Sequence, residues 1–122
     1  MNNKKVVEEL HAIIEKINRE EILVIVEGKK DKHAMQKIGI DNVVELERKP
    51  LFAVVEEIAE KTKRCSILTD LDKKGKELYG KLKHGLQKHG VHIDDKLRNF
   101  LLKNTQIRQM EGIDNLLMDD YF

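Results

Sequence analysis

The chain has 122 residues, of which 40% are hydrophobic and 37% are charged, a composition typical of one globular domain with a heavily charged surface. Its formal net charge of +1 excludes a broad positive field, so any nucleic-acid binding must depend on local charge. The single cysteine, Cys65, cannot form an internal disulfide, and no apolar run approaches the roughly 20 residues that cross a bilayer. We therefore expect a cytoplasmic protein that does not enter the membrane.

The first half of the chain alternates between helical and strand patterns. Apolar residues at helical spacing predict an amphipathic helix over 4–18, which can pack on the domain or bind a partner protein. Consecutive aliphatic residues predict a strand at 22–26 that is buried on both faces. A helix over 31–38, a weaker strand at 43–46 and a helix over 51–61 follow.

The second half continues the alternation. It contains a predicted strand at 65–69, a basic helix over 75–89 and a short helix over 94–103. Alternating residues at 105–110 predict an edge strand, and 112–117 form a last helical turn or two. This order predicts a three-layer α/β fold, with a mostly parallel sheet of about four strands flanked by helices.

Carboxylates follow two of the predicted strands. Glu27 comes directly after the strand at 22–26, and Asp70 and Asp72 follow the strand at 65–69. Because sites in such folds lie beyond the carboxyl ends of the strands, these three side chains are expected to meet there. Carboxylate oxygens suit Mg²⁺, or Mn²⁺ in its place. The alternative is that Asp72 caps the following helix while Asp70 is merely solvated.

The residues around Glu27 suggest how it would act. A carboxylate at the end of so apolar a strand, close to two others, is suited to give or take a proton. Gly28 allows a sharp turn and the close approach of a substrate. Asp31 is interpreted first as the N-cap of the next helix and second as a metal ligand.

Basic residues lie beside both acidic clusters. From Lys73 to Gly90 there are six lysines and two histidines against one acid, Glu77. Such a stretch can bind a phosphate backbone, and a glycine at a helix N-terminus opens backbone amides to phosphate. Aromatic residues make up only 4%, so DNA or RNA would be bound mainly through its backbone. The candidate contacts are Gly28, Lys29, Lys30, Lys74, Gly75, Lys76 and Lys81.

The sequence lacks the residue patterns of zinc sites, serine hydrolases and nucleotide-binding glycine loops. The five histidines show no zinc-like arrangement with Cys65, and serine is nearly absent, which excludes a Ser-His-Asp hydrolase. The phosphate-binding glycine motifs of P-loop and dinucleotide-binding proteins are also missing from the sequence.

Two motifs, in order, resemble those of the Toprim domain, which is shared by bacterial-type primases, topoisomerases and several nucleases. The first is a hydrophobic strand ending in Glu-Gly, here Ile25-Val26-Glu27-Gly28, with Asp31 completing the common form. The second is an apolar strand running into Asp70-Leu71-Asp72-Lys73-Lys74-Gly75. The chain looks most similar to small stand-alone archaeal Toprim proteins, with a helix at 1–19 before a Toprim core at 20–117 in a single domain over 1–122.

The resemblance implies a role for each matching residue. Glu27 would be the general acid or base of phosphoryl transfer, and Asp70 and Asp72 would hold Mg²⁺. Many members carry another acid two residues beyond the second Asp, where this chain has Lys74, which argues against a complete topoisomerase-like metal site. Glu111 is a further candidate carboxylate.

Three functions follow from these residues. The first is a Mg²⁺-dependent nuclease or RNA-processing factor, and the second is a non-catalytic module that binds nucleic acid or ribonucleoprotein. The third is a phosphatase of the haloacid-dehalogenase type, which also uses Asp-x-Asp after a strand. That third function leaves Glu27 and Gly28 unexplained, and Lys74 stands where such phosphatases usually carry Thr or Val.

Overall fold

A computed structural model describes residues 3–46 and 48–117 of the chain. The elements in chain order are α1 (Asn3–Arg19), β1 (Leu23–Val26), α2 (Lys29–Lys37), β2 (Val43–Glu45), α3 (Leu51–Lys61), β3 (Arg64–Ile67), α4 (Lys73–Lys88), β4 (His92–Ile93), α5 (Lys96–Asn104) and a 3₁₀ helix (Met110–Leu117). No helix among these residues is both long enough and apolar enough to cross a membrane.

The four strands form one parallel sheet in the order β2-β1-β3-β4. The register places Val24 beside Val43, Ile25 beside Ile67, and Cys65 beside Ile93. Because every strand runs the same way, all carboxyl ends lie at one edge, which we call the carboxyl edge. β1 and β3 are neighbours in the middle of the sheet, so the residues that follow them emerge side by side.

Helices cover both faces of the sheet. Side chains alternate along β1, so Val24 and Val26 face one layer while Leu23 and Ile25 face the other. The first layer consists of α1, α2, α5 and the 3₁₀ helix, and the second consists of α3 and α4. The predicted three-layer α/β fold is therefore confirmed.

Helix α1 packs on its own domain. Its apolar stripe is buried in the first core layer through Val6, Leu10, Ile14 and Ile17. The face that was considered for a protein partner is thus occupied within the chain. The structure gives no support to a partner bound through this stripe.

The predicted edge strand at 105–110 is wrong. The Thr105 hydroxyl donates to the carbonyl oxygen of Leu101 at 2.8 Å and accepts from the amide of Ile107 at 3.4 Å. The Arg108 carbonyl and the Met110 amide bond to Leu71 and Asp70 in the loop after β3, so the segment joins no ladder. The fourth strand is instead β4 at 92–93, which follows α4 directly and pairs with β3. Only two residues long, it carries almost no periodicity to detect.

Candidate active site at the carboxyl edge

Glu27 and Asp70 meet at the carboxyl edge of the sheet. Glu27 follows the last residue of β1, and Leu68 and Thr69 carry the chain from the end of β3 to Asp70. The backbone amide of Asp70 donates a hydrogen bond to Glu27 Oε2 at 2.8 Å. Residues separated by 43 positions are therefore joined directly, as the strand-end pattern predicted.

Asp70 is held at three of its polar atoms. Besides its amide, its carbonyl oxygen accepts from Arg98 Nη2 at 3.1 Å, and its Oδ1 accepts from the Met110 amide at 2.8 Å. Its remaining carboxylate oxygen, Oδ2, has no hydrogen-bond partner among the described residues. A side chain so fixed presents one oxygen in a defined direction.

Asp72 is the N-cap of α4. Its φ and ψ are −80° and 179°, and its Oδ1 accepts from the Gly75 amide at 2.8 Å. The capping role considered for it is confirmed, and α4 begins at Lys73, two residues earlier than expected. Capping occupies one carboxylate oxygen and leaves Oδ2 for a second task.

Gly75 is required by a close approach of backbone. A Cβ at this position would lie 1.9 Å from the carbonyl oxygen of Asp70, and the Thr69 hydroxyl donates to the carbonyl oxygen of Gly75 at 2.7 Å. The glycine therefore lets α4 press against the loop that carries Asp70. Its amide, a candidate phosphate donor, is engaged by Asp72.

Asp31 is not the N-cap of α2. The cap is Gly28, and Asp31 is the third residue of the helix, where its Oδ2 accepts from the Gly28 amide at 3.0 Å. Burial raises the pKa of the Asp31 carboxyl, and the nearby charges of Asp70, Glu27 and Glu111 raise it further, while the Gly28 hydrogen bond lowers it. Asp31 therefore lies close enough to Glu27, Asp70 and Glu111 for their charges to affect its ionisation.

The donor chemistry fits a hard divalent cation. Glu27, Asp70 and Asp72 each give one oxygen to a backbone amide and keep the other. In the described part of the chain, no group of three or more His, Cys, Asp or Glu side chains is arranged to hold a metal ion. Mg²⁺ commonly takes only one or two protein carboxylates, with water and substrate phosphate completing its shell, so the residues present suit it. Convergence of all three carboxylates on one ion stays a prediction.

The predicted phosphate contacts fall on two surfaces. Lys29 and Lys30 are exposed in the first turn of α2, whereas Lys74, Lys76 and Lys81 are exposed on α4. A groove of about 690 Å³ runs between α2 and the 3₁₀ helix. The charged and titratable residues that line it are Lys29, Lys30, His33, Lys37, Glu111 and Asp114. Lys37 Nζ lies 3.7 Å from Asp114 Oδ2.

Arg98 is a buried residue of the site that was not predicted from the sequence. Its side chain is 4% exposed, and it donates to the carbonyl oxygens of Ile67, Thr69 and Asp70 at 3.3, 2.7 and 3.1 Å. The only signal was a charged residue beside Leu97 on the apolar face of the predicted helix. A position of that kind is ordinarily solvated at the margin of a helix.

Comparisons with known proteins place the chain in a family. The Toprim domain matches residues 22–108. A UPF0292 protein of Pyrococcus abyssi is 39% identical over 106 residues, covering 86% of this chain and 79% of the relative. Another, from Methanocaldococcus jannaschii, is 29% identical over 119 residues and covers 93% of both chains.

A solved structure supports the fold independently. A putative protein from Aquifex aeolicus superposes with a TM-score of 0.76 at 36% identity, covering 88% of this chain and 96% of that one. The ordered motifs, the sheet and the family match all agree. This chain belongs to the Toprim domain family.

Proposed function

We propose that this protein is a Mg²⁺-dependent enzyme that cleaves phosphodiester bonds in nucleic acid at the carboxyl edge of its sheet. The observation that carries the proposal is the 2.8 Å hydrogen bond from the Asp70 amide to Glu27 Oε2. It joins the two Toprim motifs and leaves Glu27 Oε1 without a hydrogen-bond partner among the described residues.

Each carboxylate has a distinct part in the proposal. Asp70 and Asp72 would hold Mg²⁺ through their Oδ2 atoms, and the ion supplies charge stabilisation to the phosphate when bound. Glu27 Oε1 would accept or donate the proton that moves as the phosphodiester is broken. The backbone amide on Oε2 keeps that side chain turned toward the site.

The nucleic acid would approach through its phosphates. The N-termini of α2 and α4 both lie at the carboxyl edge, where the positive ends of their dipoles favour anions. Lys29 and Lys30 line the groove beside α2 and are exposed. These features support the entry of a phosphate backbone along α2, next to Glu27.

The test is cleavage of a DNA and RNA panel with Mg²⁺ or Mn²⁺. We expect cleavage by the natural chain and a loss of about 100-fold or more in Glu27→Gln and Asp70→Asn, since both keep an oxygen for their backbone bonds but lose the charge. Glu56→Gln and Asp41→Asn are matched controls, because both residues are exposed and outside the site. Equal activity in all four variants, or no cleavage of any substrate, would refute the enzyme.

A second candidate is a Toprim module that binds nucleic acid without cleaving it. It is favoured by the absence of a three-ligand metal group in the described residues and by Lys74. In that case Glu27→Gln and Asp70→Asn would bind nucleic acid unchanged. Reversal of charge at Lys29 and Lys30, or separately at Lys74 and Lys81, would then show which surface is used, with each lost phosphate contact lowering the salt slope by about 0.9. Lys83 is a poor choice, because it contacts Tyr79 and Asp95.

A further inference from the structure

Arg98 is a buried cation whose guanidinium donates hydrogen bonds to backbone carbonyl oxygens. Its guanidinium contacts three backbone carbonyls between residues 67 and 70, and Nη1 also lies 3.3 Å from the Thr69 hydroxyl. No ion pair to a carboxylate is formed by Arg98 in the parts of the chain that the structure describes. Burying a charge without such a partner is costly, so its retention here calls for a reason beyond packing.

The surroundings of Arg98 compensate its charge at a distance. The Tyr79 ring stacks on the guanidinium, with 4.4 Å from the guanidinium carbon to the ring centre. Tyr79 is itself held, because its hydroxyl donates to Asp95 Oδ2 at 2.7 Å. Burial lowers the pKa of Arg98, and the charges of Asp95, Glu27 and Asp70 raise it. The cation thus lies within electrostatic reach of the carboxylates at the site.

The contacts of Arg98 coincide with the place where the chain leaves the sheet. β3 ends at Ile67, and the irregular residues 68 and 69 then carry the chain to Asp70, whose amide bonds to Glu27. Carbonyl groups that lose their ladder partners need other donors. Three of the four carbonyls over residues 67–70 find theirs on one rigid guanidinium, whose fork geometry a lysine cannot reproduce.

We propose that Arg98 is a positioning residue, which fixes the loop at 67–70 so that Asp70 meets Glu27 and which places a permanent positive charge behind this pair. The inference rests on the proposed function for its catalytic meaning. The ordering of Asp70 before any ion binds can be measured without an activity assay.

The test compares Arg98→Lys with Arg64→Lys. Arg64 is the matched control because it lies at the other end of β3, where it pairs with Asp94 at 3.0 Å and with Glu20. In metal-free protein we expect the Asp70 amide of Arg98→Lys to exchange with solvent about tenfold faster, while the Ile25 amide is unchanged. We also expect Mg²⁺ to bind at least about tenfold more weakly by calorimetry. Arg64→Lys should leave both values as they are.

A second variant covers the chance that Arg98→Lys does not fold. Tyr79→Leu removes the ring under the guanidinium at a half-buried position, and it should speed exchange at Asp70 in the same direction but less. A uniform rise in exchange at Asp70 and Ile25, with Mg²⁺ affinity unchanged, would overturn the positioning role. If the natural chain cleaves nothing yet the exchange and calorimetry results hold, the proposed enzyme fails while the role of Arg98 stands.

Where cleavage is observed, its kinetics add a further readout. Arg98→Lys should lower kcat with little change in KM, because Arg98 is buried against backbone carbonyl oxygens and is not exposed for binding nucleic acid. A rise in KM alone would contradict the role.

Discussion

At the scale of single residues, the site depends on one position without a side chain. Gly75 has an ordinary φ, so the need for glycine comes from the Asp70 carbonyl, which leaves no room for a Cβ. Elsewhere in α4, Gly80 has nothing within 4 Å of the place where its Cβ would stand. Both glycines lie in α4, but Gly75 is in its first turn against the Asp70 carbonyl, whereas Gly80 is in the helix interior with open space beside it.

This contrast gives a paired prediction. Gly80→Ala should raise the free energy of unfolding by about 0.5–1 kcal/mol, because alanine favours the helix. In Gly75→Ala, the overlap of the new Cβ with the Asp70 carbonyl should lower the free energy of unfolding by about 1–3 kcal/mol and weaken Mg²⁺ binding. Urea denaturation and calorimetry measure both effects. Similar gains in stability for the two variants would contradict the close contact.

At the scale of elements, the start of α4 both caps the helix and supplies a candidate metal ligand, Asp72. One oxygen of Asp72 caps the helix, and the other faces no described hydrogen-bond partner. The same loop is tied to the body of α4 through Thr69 and Gly75. A helix that begins directly after a strand end therefore both orders the second motif and carries part of the candidate metal site.

Substitutions of Asp72 should separate these roles. Asparagine caps helices about as well as aspartate, so Asp72→Asn should keep the free energy of unfolding within about 1 kcal/mol of the natural value. Asp72→Ala should lose about 1–2 kcal/mol with the cap. Both should bind Mg²⁺ more weakly, since both lack the charge. Undiminished Mg²⁺ affinity in Asp72→Asn would remove Asp72 from the site.

At the scale of the whole molecule, the fold concentrates negative charge in a nearly neutral chain. Glu27, Asp31, Asp70 and Glu111 come from segments following β1 and β3, from α2 and from the 3₁₀ helix, and the charges of the other three help to raise the pKa of Asp31. The net charge of +1 conceals this local field. Burial and these like charges both disfavour the ionised form of Asp31 in the folded protein.

The pH dependence of stability should reveal the combined effect of burial and like-charge repulsion on Asp31. The pKa of Asp31 in the folded protein is raised above its ordinary 3.8, so the folded state binds this proton more tightly than the unfolded state. The stability that the bound proton contributes is complete below pH 3.8 and is lost as the pH rises through the raised pKa. Asp31→Asn keeps an acceptor for the Gly28 amide and lacks this loss. Its stability relative to the natural chain should therefore increase between about pH 3 and pH 7, as measured by urea denaturation with a chelator present. A constant difference across this range would contradict the raised pKa.

Much of the architecture could be predicted because its signals are local. The helix at 51–61 and the strands that precede Glu27 and Asp70 follow from residue spacing alone. The strand at 105–110 failed because alternation cannot distinguish a ladder from local bonds made by Thr105. Arg98 was missed because its partners are backbone atoms about 30 residues away, which leave no trace in the sequence around it.

By itself, the sequence determined the strand–helix alternation, the parallel sheet and the placement of Glu27 and Asp70 at strand ends, because apolar periodicity and chain direction encode these features. Only the tertiary structure decided that the Asp70 amide binds Glu27, that Gly75 must lack a side chain, and that Arg98 supports the loop between them. Those features depend on which backbone atoms approach one another across the packed layers, and such distances are set only once the whole core has formed.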